Sequence, residues 1–269
     1  MRYAVYRCLY GEDFIQESIR SISDHVDRVF VFWTDKPWGS SSGCEYKGRY
    51  YRFPEKFDNL LERIEDLNDP KVTLIKAHTN TPVNQLTHYV NTLMLPNFDR
   101  PEFILFLEPD HVFRDDQIDG MVDEFMSSGA TSLSTKQVEL WKTPYFRIPE
   151  RRRIGSMLWN MTDLDVMPKT KFQANVPPIK FIDRFVHNFG FCISDQNMFW
   201  KHLTALAFSR EVGDSVPNVN WLDDTWRNWH PDTNNQNLEI SLGYEHLIPY
   251  AESYPASELP KLILDRFAK

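Results

Sequence analysis

The chain is poor in cysteine, has no excess of positive charge and carries no long hydrophobic run, and each of these absences excludes something. Its three cysteines, Cys8, Cys44 and Cys192, are odd in number and far apart. They form neither a disulfide framework nor a C-x-x-C pair, so a reducing compartment is the expectation. Lys and Arg total 30 against 38 Asp and Glu, a formal net charge of −8. That balance offers no basic face to displace counterions, and no nucleic-acid partner is expected. The longest apolar runs, 29–33 and 103–107, fall far short of the roughly 20 residues a spanning helix needs. The first residues read as strand and not as a signal peptide, so the expectation is a cytoplasmic protein without a transmembrane segment. A short amphipathic stretch at 259–267 leaves room for peripheral contact at the inner membrane face. Short catalytic motifs are missing too. No G-x-G-x-x-G follows the first strand, and Gly43 and Gly48 have P-loop spacing but are followed by Arg49-Tyr50. Neither H-E-x-x-H nor G-x-S-x-G occurs, which removes the usual support for zinc protease and serine hydrolase readings.

What is present describes an ordinary globular chain of 269 residues, 42% hydrophobic and 25% charged, with a high aromatic share of 14%. A domain of this size buries roughly three quarters of its unfolded surface, so no disulfide or metal is needed for folding. The first half alternates apolar runs with helix-period stripes. Strands are expected at 3–9, 29–33, 72–75 and 103–107. Between and after them, stripes such as Ile15, Ile19, Ile22 and Val26, or Ile118, Met121, Val122 and Phe125, mark helices. Stripes over 57–67 and 83–94 do the same, with a Gly/Ser-rich loop at 39–43. The order βαβαβαβα predicts a parallel sheet with helices on its faces, which binds ligands at the carboxyl ends of its strands. Acids gather there: Glu12 and Asp13 after the first strand, Asp35 after the second, Glu108 and Asp110 after the fourth. After about residue 130 the pattern changes to strand at 131–141, an extended segment at 143–149, an irregular stretch to 178, and helices at 195–208 and 259–267.

The sharpest signal is Phe103-Ile104-Leu105-Phe106-Leu107-Glu108-Pro109-Asp110-His111. A buried-type strand runs directly into two carboxylates at i, i+2, which extended geometry puts on one face. Pro109 cannot donate a ladder hydrogen bond and favours the chain's exit from the sheet. Hard divalent cations take oxygen ligands, and Mg²⁺ often uses one or two carboxylates together with substrate phosphates. In the same extended geometry His111 points away from Asp110.

Together with the stretch 3–35 and the segment Val186-His187-Asn188-Phe189-Gly190-Phe191, this pattern resembles nucleotide-sugar glycosyltransferases of the GT-A fold, most like family 2, over roughly residues 1–205. The resemblance implies an α/β fold, GT-A-like and Rossmann-like, with a mostly parallel central sheet flanked by helices and a C-terminal acceptor-side region. It implies one continuous globular domain, with 1–130 as the donor-binding half and 131–269 as the acceptor-side half. Asp35 would contact the donor's ribose or base, and Arg7 would add positive charge beside the donor. Glu108 and Asp110 would stand at the D-x-D positions and bind donor and metal, the first with a side chain one methylene longer than usual. His187 would complete the metal shell, around Mn²⁺ or Mg²⁺. The donor would be a UDP- or GDP-sugar, and the acceptor a glycan, a lipid-linked glycan or a small molecule. For an inverting transfer, Asp183 or Glu139 would be the general base, Asp183 being preferred for its closeness to His187 in sequence. The run Arg151-Arg152-Arg153 would gather an anion, and Trp141, Trp159 and Trp200 are candidates to stack on sugar rings, with core packing as their default. The Ala-Arg-Asn signature common in family 2 before the fourth strand is absent, with Thr87-His88-Tyr89-Val90-Asn91 near its place. Two other functions fit the same acids: a metal-dependent phosphohydrolase, and a degenerate transferase that only binds a nucleotide or a partner.

Overall fold

The computed structural model describes residues 1–37, 39–77, 84–149, 152–153, 157–162, 179–213, 218–238 and 250–268. The chain begins with strand β1 (Arg2–Cys8), helix α1 (Ile15–Arg20) and strand β2 (Arg28–Trp33). A two-stranded hairpin, β3 (Gly43–Tyr46) and β4 (Arg49–Arg52), precedes helix α2 (Leu60–Leu67), strand β5 (Val72–Lys76) and helix α3 (Asn84–Tyr89). Next come β6 (Phe103–Leu107), the short β7 (His111–Val112), helix α4 (Asp115–Ser128), β8 (Ser132–Trp141) and β9 (Thr143–Arg147). The remainder comprises β10 (Arg152–Arg153), β11 (Leu158–Asn160), the long β12 (Ile179–Phe191), helix α5 (Asp195–Val212), β13 (Glu252–Ser253) and helix α6 (Lys261–Phe267).

This is the expected α/β architecture. The sheet order is β13-β9-β8-β11-β6-β1-β2-β5, with β12 and β10 on β8 and β7 on β12. Strands β5, β2, β1 and β6 are mutually parallel, and β8 and β12 pair parallel to each other. Strand β11, inside the stretch expected to be irregular, inserts antiparallel between β6 and β8, so those two run the same way. Strands from both halves of the sequence therefore share one sheet.

Period-two alternation explains the core. On β6, Phe103, Leu105 and Leu107 join one apolar cluster with α1, α2 and α4, while Ile104 and Phe106 join the cluster on the opposite face. On β1, Ala4, Tyr6 and Cys8 face the first cluster, and Tyr3 and Val5 the second. A strand buried on both faces must be apolar at every position, which is why 103–107 is the greasiest run in the chain. Each such side chain contributes about 1.5–3 kcal/mol by its burial. The two tyrosines of β1 keep their hydroxyls satisfied: Tyr3 donates to the Asp99 carbonyl at 2.6 Å, and Tyr6 meets Ser18 Oγ at 3.0 Å.

The helix expected over 12–26 is shorter than its stripe, α1 giving way to a 3-10 turn at Ser23–His25. Trp141 and Trp159 are fully buried and belong to the core, whereas Trp200 packs edge-on against Phe53, Phe57 and Phe199. Val83, Arg151, Gly155 and the stretch 163–178 lie outside the described residues, and of Arg152 and Arg153 only the pairing with β8 is described. No helix among the described residues is long and apolar enough to cross a membrane.

Candidate functional site

The site starts at the carboxyl end of β6. Pro109 has no N–H, so the ladder stops, and a hydrogen bond from His111 N to Glu108 O at 3.0 Å closes a turn. The chain then re-enters the sheet as β7, antiparallel to β12, with His111 opposite Asn188 and Val112 opposite His187. Phe189 N donates to Asp110 O at 2.9 Å and clamps the turn from the β12 side. This turn differs from the extended geometry expected. It brings His111 to the same side as the acids, and ligand atoms of Glu108, Asp110 and His111 lie within 4.8 Å of one another.

The donor set fits a hard divalent cation. Two ligands on opposite sides of a Mg²⁺ at about 2.1 Å each stand about 4.2 Å apart, so a small closure of these side chains suffices. Asp110 Oδ1 is buried and has no hydrogen-bond partner among the described residues. An orphaned carboxylate oxygen is costly unless something else satisfies it. His111 is 2% exposed, with Nδ1 3.3 Å from Glu108 N and Nε2 3.5 Å from Asn188 Nδ2. His187 is not in this group. The β12–β7 register makes Asn188 the neighbour of His111 and puts His187 beside Val112, where its Nε2 meets the Tyr254 hydroxyl at 3.0 Å. His187, expected in the metal shell, is fully buried and packed against Phe185, Phe189 and Tyr254.

Two cations attend the acids. Arg7, on β1 beside β6, donates from Nη2 to Glu108 Oε1 at 2.7 Å. Lys201, on α5, donates from Nζ to Gly190 O at 3.1 Å and stands 4.0 Å from Asp110 Oδ2. The sequence points to Arg7 but gives Lys201 no role, because a short loop and the first six residues of α5 separate it from the segment ending at Phe191.

Gly190 makes the arrangement possible. A Cβ there would stand 2.7 Å from Asp110 Oδ2 and 2.9 Å from Asn188 Oδ1, closer than real Cβ contacts. Gly11 performs a similar service one step further along the edge. Its Cβ would meet Leu60 Cδ1 at 2.8 Å and Pro109 Cβ at 3.1 Å, so the Glu108–Asp110 turn abuts the wall of a neighbouring cavity.

That cavity has a volume of about 210 Å³ and is lined by Leu9, Trp33, Phe57 and Leu60 among apolar residues and by Asp35, Lys56 and Asp58 among charged ones. It is smaller than the roughly 300–1,000 Å³ of a whole ligand pocket, so it suits one part of a ligand. Asp35 lines it. Lys76 Nζ bonds Asp35 Oδ2 at 2.5 Å and holds its carboxyl below the usual carboxylate range, while Oδ1 has no hydrogen-bond partner among the described residues. The same ammonium lies 5.0 Å above the Trp33 ring. Asp58, raised by burial, accepts from Gly11 N at 2.6 Å and Glu12 N at 3.1 Å and so ties the loop after β1 to α2.

The remaining acids separate. Glu12 accepts from Asn59 N at 2.9 Å and, with Asp13, from Asn197 Nδ2, so both acids serve to dock α2 and α5. Glu139 is 4% exposed and pairs with Asn188 across β8 and β12, in register with His111 across β7. Asp183 is exposed, forms an ion pair with Lys136, and lies five residues before Asn188, between Phe181 and Phe185 where β12 shifts register against β8. The structure thus brings together Arg7, Glu108, Asp110 and His111, sets Asp35 in the adjoining cavity and Glu139 in the adjoining row, and leaves Asp183 and His187 apart.

No protein-family model and no curated protein sequence matches the chain. Similar solved structures include S. aureus TarS 1–349, at 12% identity and TM-score 0.44, covering 85% of this chain and 71% of that one. The same protein in complex with UDP-GlcNAc gives 12% identity and TM-score 0.45, covering 85% and 72%. Glucosyl-3-phosphoglycerate synthase from Mycobacterium tuberculosis, in complex with Mn²⁺, UDP and phosphoglyceric acid, gives 13% identity and TM-score 0.34, covering 52% and 43%. At these values the likeness carries no chemistry, which is read from the residues of this chain.

Proposed function

We propose that the chain is a GT-A-like glycosyltransferase that moves a hexosyl group from a UDP- or GDP-sugar to a glycan, lipid-linked or small-molecule acceptor. The observation that carries the reading is the orphaned Asp110 Oδ1 beside Glu108 and His111, one glycine away from an apolar cavity that holds Asp35. A phosphohydrolase needs the acids but has no use for the cavity. A nucleoside diphosphate uses both, side by side.

In this reading the nucleobase lies between Trp33 and Phe57, and Asp35 Oδ1 accepts from a ribose hydroxyl, which supplies its missing partner. Asp110, His111 and Glu108 would hold Mn²⁺ or Mg²⁺, which supplies charge stabilisation to a departing diphosphate. Arg7 and Lys201 add fixed positive charge on either side of the acids. For an inverting transfer, Glu139 is the better-sited base of the two acids considered, since it shares a row with Asn188 and His111. Asp183, ion-paired with Lys136, keeps a place on the acceptor-side surface and no base role is assigned to it.

A panel of nucleotide sugars, screened for release of free nucleotide with and without Mn²⁺, tests the proposal. The account predicts release with a UDP- or GDP-sugar and a fall of about 10²–10³-fold in Asp110→Asn, the size seen when one preorganised electrostatic partner is lost. Phosphate release from simple esters without any sugar nucleotide, or full activity in Asp110→Asn, would contradict it.

A further inference from the structure

Lys201 has no role in the reading of the site beyond lending charge, yet its placement is specific. Its ammonium is tied to the Gly190 carbonyl at 3.1 Å and held 4.0 Å from Asp110 Oδ2, with the Phe191 ring 5.7 Å below it. Both side chains of the pair are largely covered, at 21% and 14% exposed. Gly190 is the residue whose missing Cβ lets carboxylate and lysine approach: a Cβ there would stand 2.7 Å from Asp110 Oδ2 and 3.2 Å from Lys201 Nζ. The lysine stands on the Oδ2 side of Asp110, while the buried Oδ1 has no hydrogen-bond partner among the described residues. On the other acid, Arg7 Nη2 holds Glu108 Oε1 at 2.7 Å.

Resting on the donor-site reading above, we infer that Lys201 is a positioning residue, the resident counter-cation of Asp110, which holds the site's affinity for a bare divalent cation down and its affinity for a diphosphate up. The charges explain why. Glu108, Asp110, Arg7 and Lys201 sum to zero, so a divalent cation arriving alone enters a site with no net attraction and meets the ammonium. The diphosphate arriving with it, about −2 in a nucleotide sugar and about −3 in UDP, cancels or exceeds that charge, and Lys201 faces the new anion. Removing the ammonium must therefore move the two ligands in opposite directions. A merely structural lysine would weaken both or neither, because loss of geometry does not distinguish the sign of a ligand.

The test is calorimetric titration of the full chain with Mn²⁺ alone, and with UDP at saturating Mn²⁺, in the wild type, Lys201→Met and Lys201→Arg. Lys201→Met is expected to bind Mn²⁺ about tenfold more tightly and UDP about tenfold more weakly, each about 1.4 kcal/mol. Lys201→Arg keeps the charge and should move neither by more than about threefold, roughly half that energy. Wild-type behaviour in Lys201→Met, or a loss of both affinities, overturns the assignment of Lys201 alone. A wild-type chain that binds no UDP in the presence of Mn²⁺ overturns the donor-site reading and this one with it. Thermal melts of each variant verify the fold, and if Lys201→Met does not fold, Lys201→Gln, which keeps a donor and loses the charge, must show the same opposite shifts.

Discussion

At the scale of single residues, the pair of acids after the greasiest strand was legible because it depends on local chemistry: a strand that must end, a proline that ends it, and two carboxylates at i, i+2. Which histidine joins them was not. His111 and His187 both sit in apolar stretches, and only the turn at Pro109 and the pairing of β7 with β12 decide which imidazole meets Asp110. Another histidine bears on stability. His202 is 1% exposed, stacks on Trp221, and burial pulls its imidazole from 6.5 down to about 4, the Val219 carbonyl opposing only in part. A lowered folded-state value means that the unfolded chain takes up the proton first, so its effect on stability is absent above pH 6.5 and grows as the pH falls towards 4. The full cost is about 3 kcal/mol at roughly 1.4 kcal/mol per pH unit. Urea unfolding at pH 7 and pH 4.5 should show a loss that is smaller in His202→Gln, and equal slopes in the two proteins would refute this source.

At the scale of elements, the strands that carry the sheet were readable from apolar runs, since a doubly covered parallel strand has no polar position to confuse its pattern. The hairpin β3–β4 was not, because β4 is almost wholly exposed and its signal is the turn at Lys47 and Gly48, both with positive φ, 49° and 74°. Strand β11 was hidden by its three-residue length, and β12 by the polar residues, Asp183, Arg184, His187 and Asn188, that interrupt its apolar pattern. Its Gly190 is the point where strand, turn and α5 meet. Gly190→Ala should force Asp110 and Lys201 apart, with a stability loss of about 1–3 kcal/mol, the usual cost of overpacking. Mn²⁺-dependent UDP binding should fall by more than the same substitution costs the fold. A variant that unfolds at lower denaturant yet binds UDP as the wild type does would separate Gly190 from the site.

At the scale of the molecule, an acidic chain of net charge −8 gathers its cations locally, Arg7, Lys76 and Lys201 all lying at the carboxyl edge of the sheet or over it. The parallel strands β5, β2, β1 and β6 end on one edge, so the Asp35 cavity and the Glu108–Asp110 turn are neighbours by topology, with Gly11 between them. In the proposed reading they take the two ends of a nucleoside diphosphate, one apolar and flat, the other anionic. The most direct measurement is an anomalous difference map from crystals grown with Mn²⁺ and UDP. The account predicts one manganese peak at about 2.0–2.3 Å from an Asp110 carboxylate oxygen, with the uracil beside Trp33 and the ribose on Asp35. Manganese bound elsewhere, or UDP bound with the Trp33 cavity empty, would contradict it.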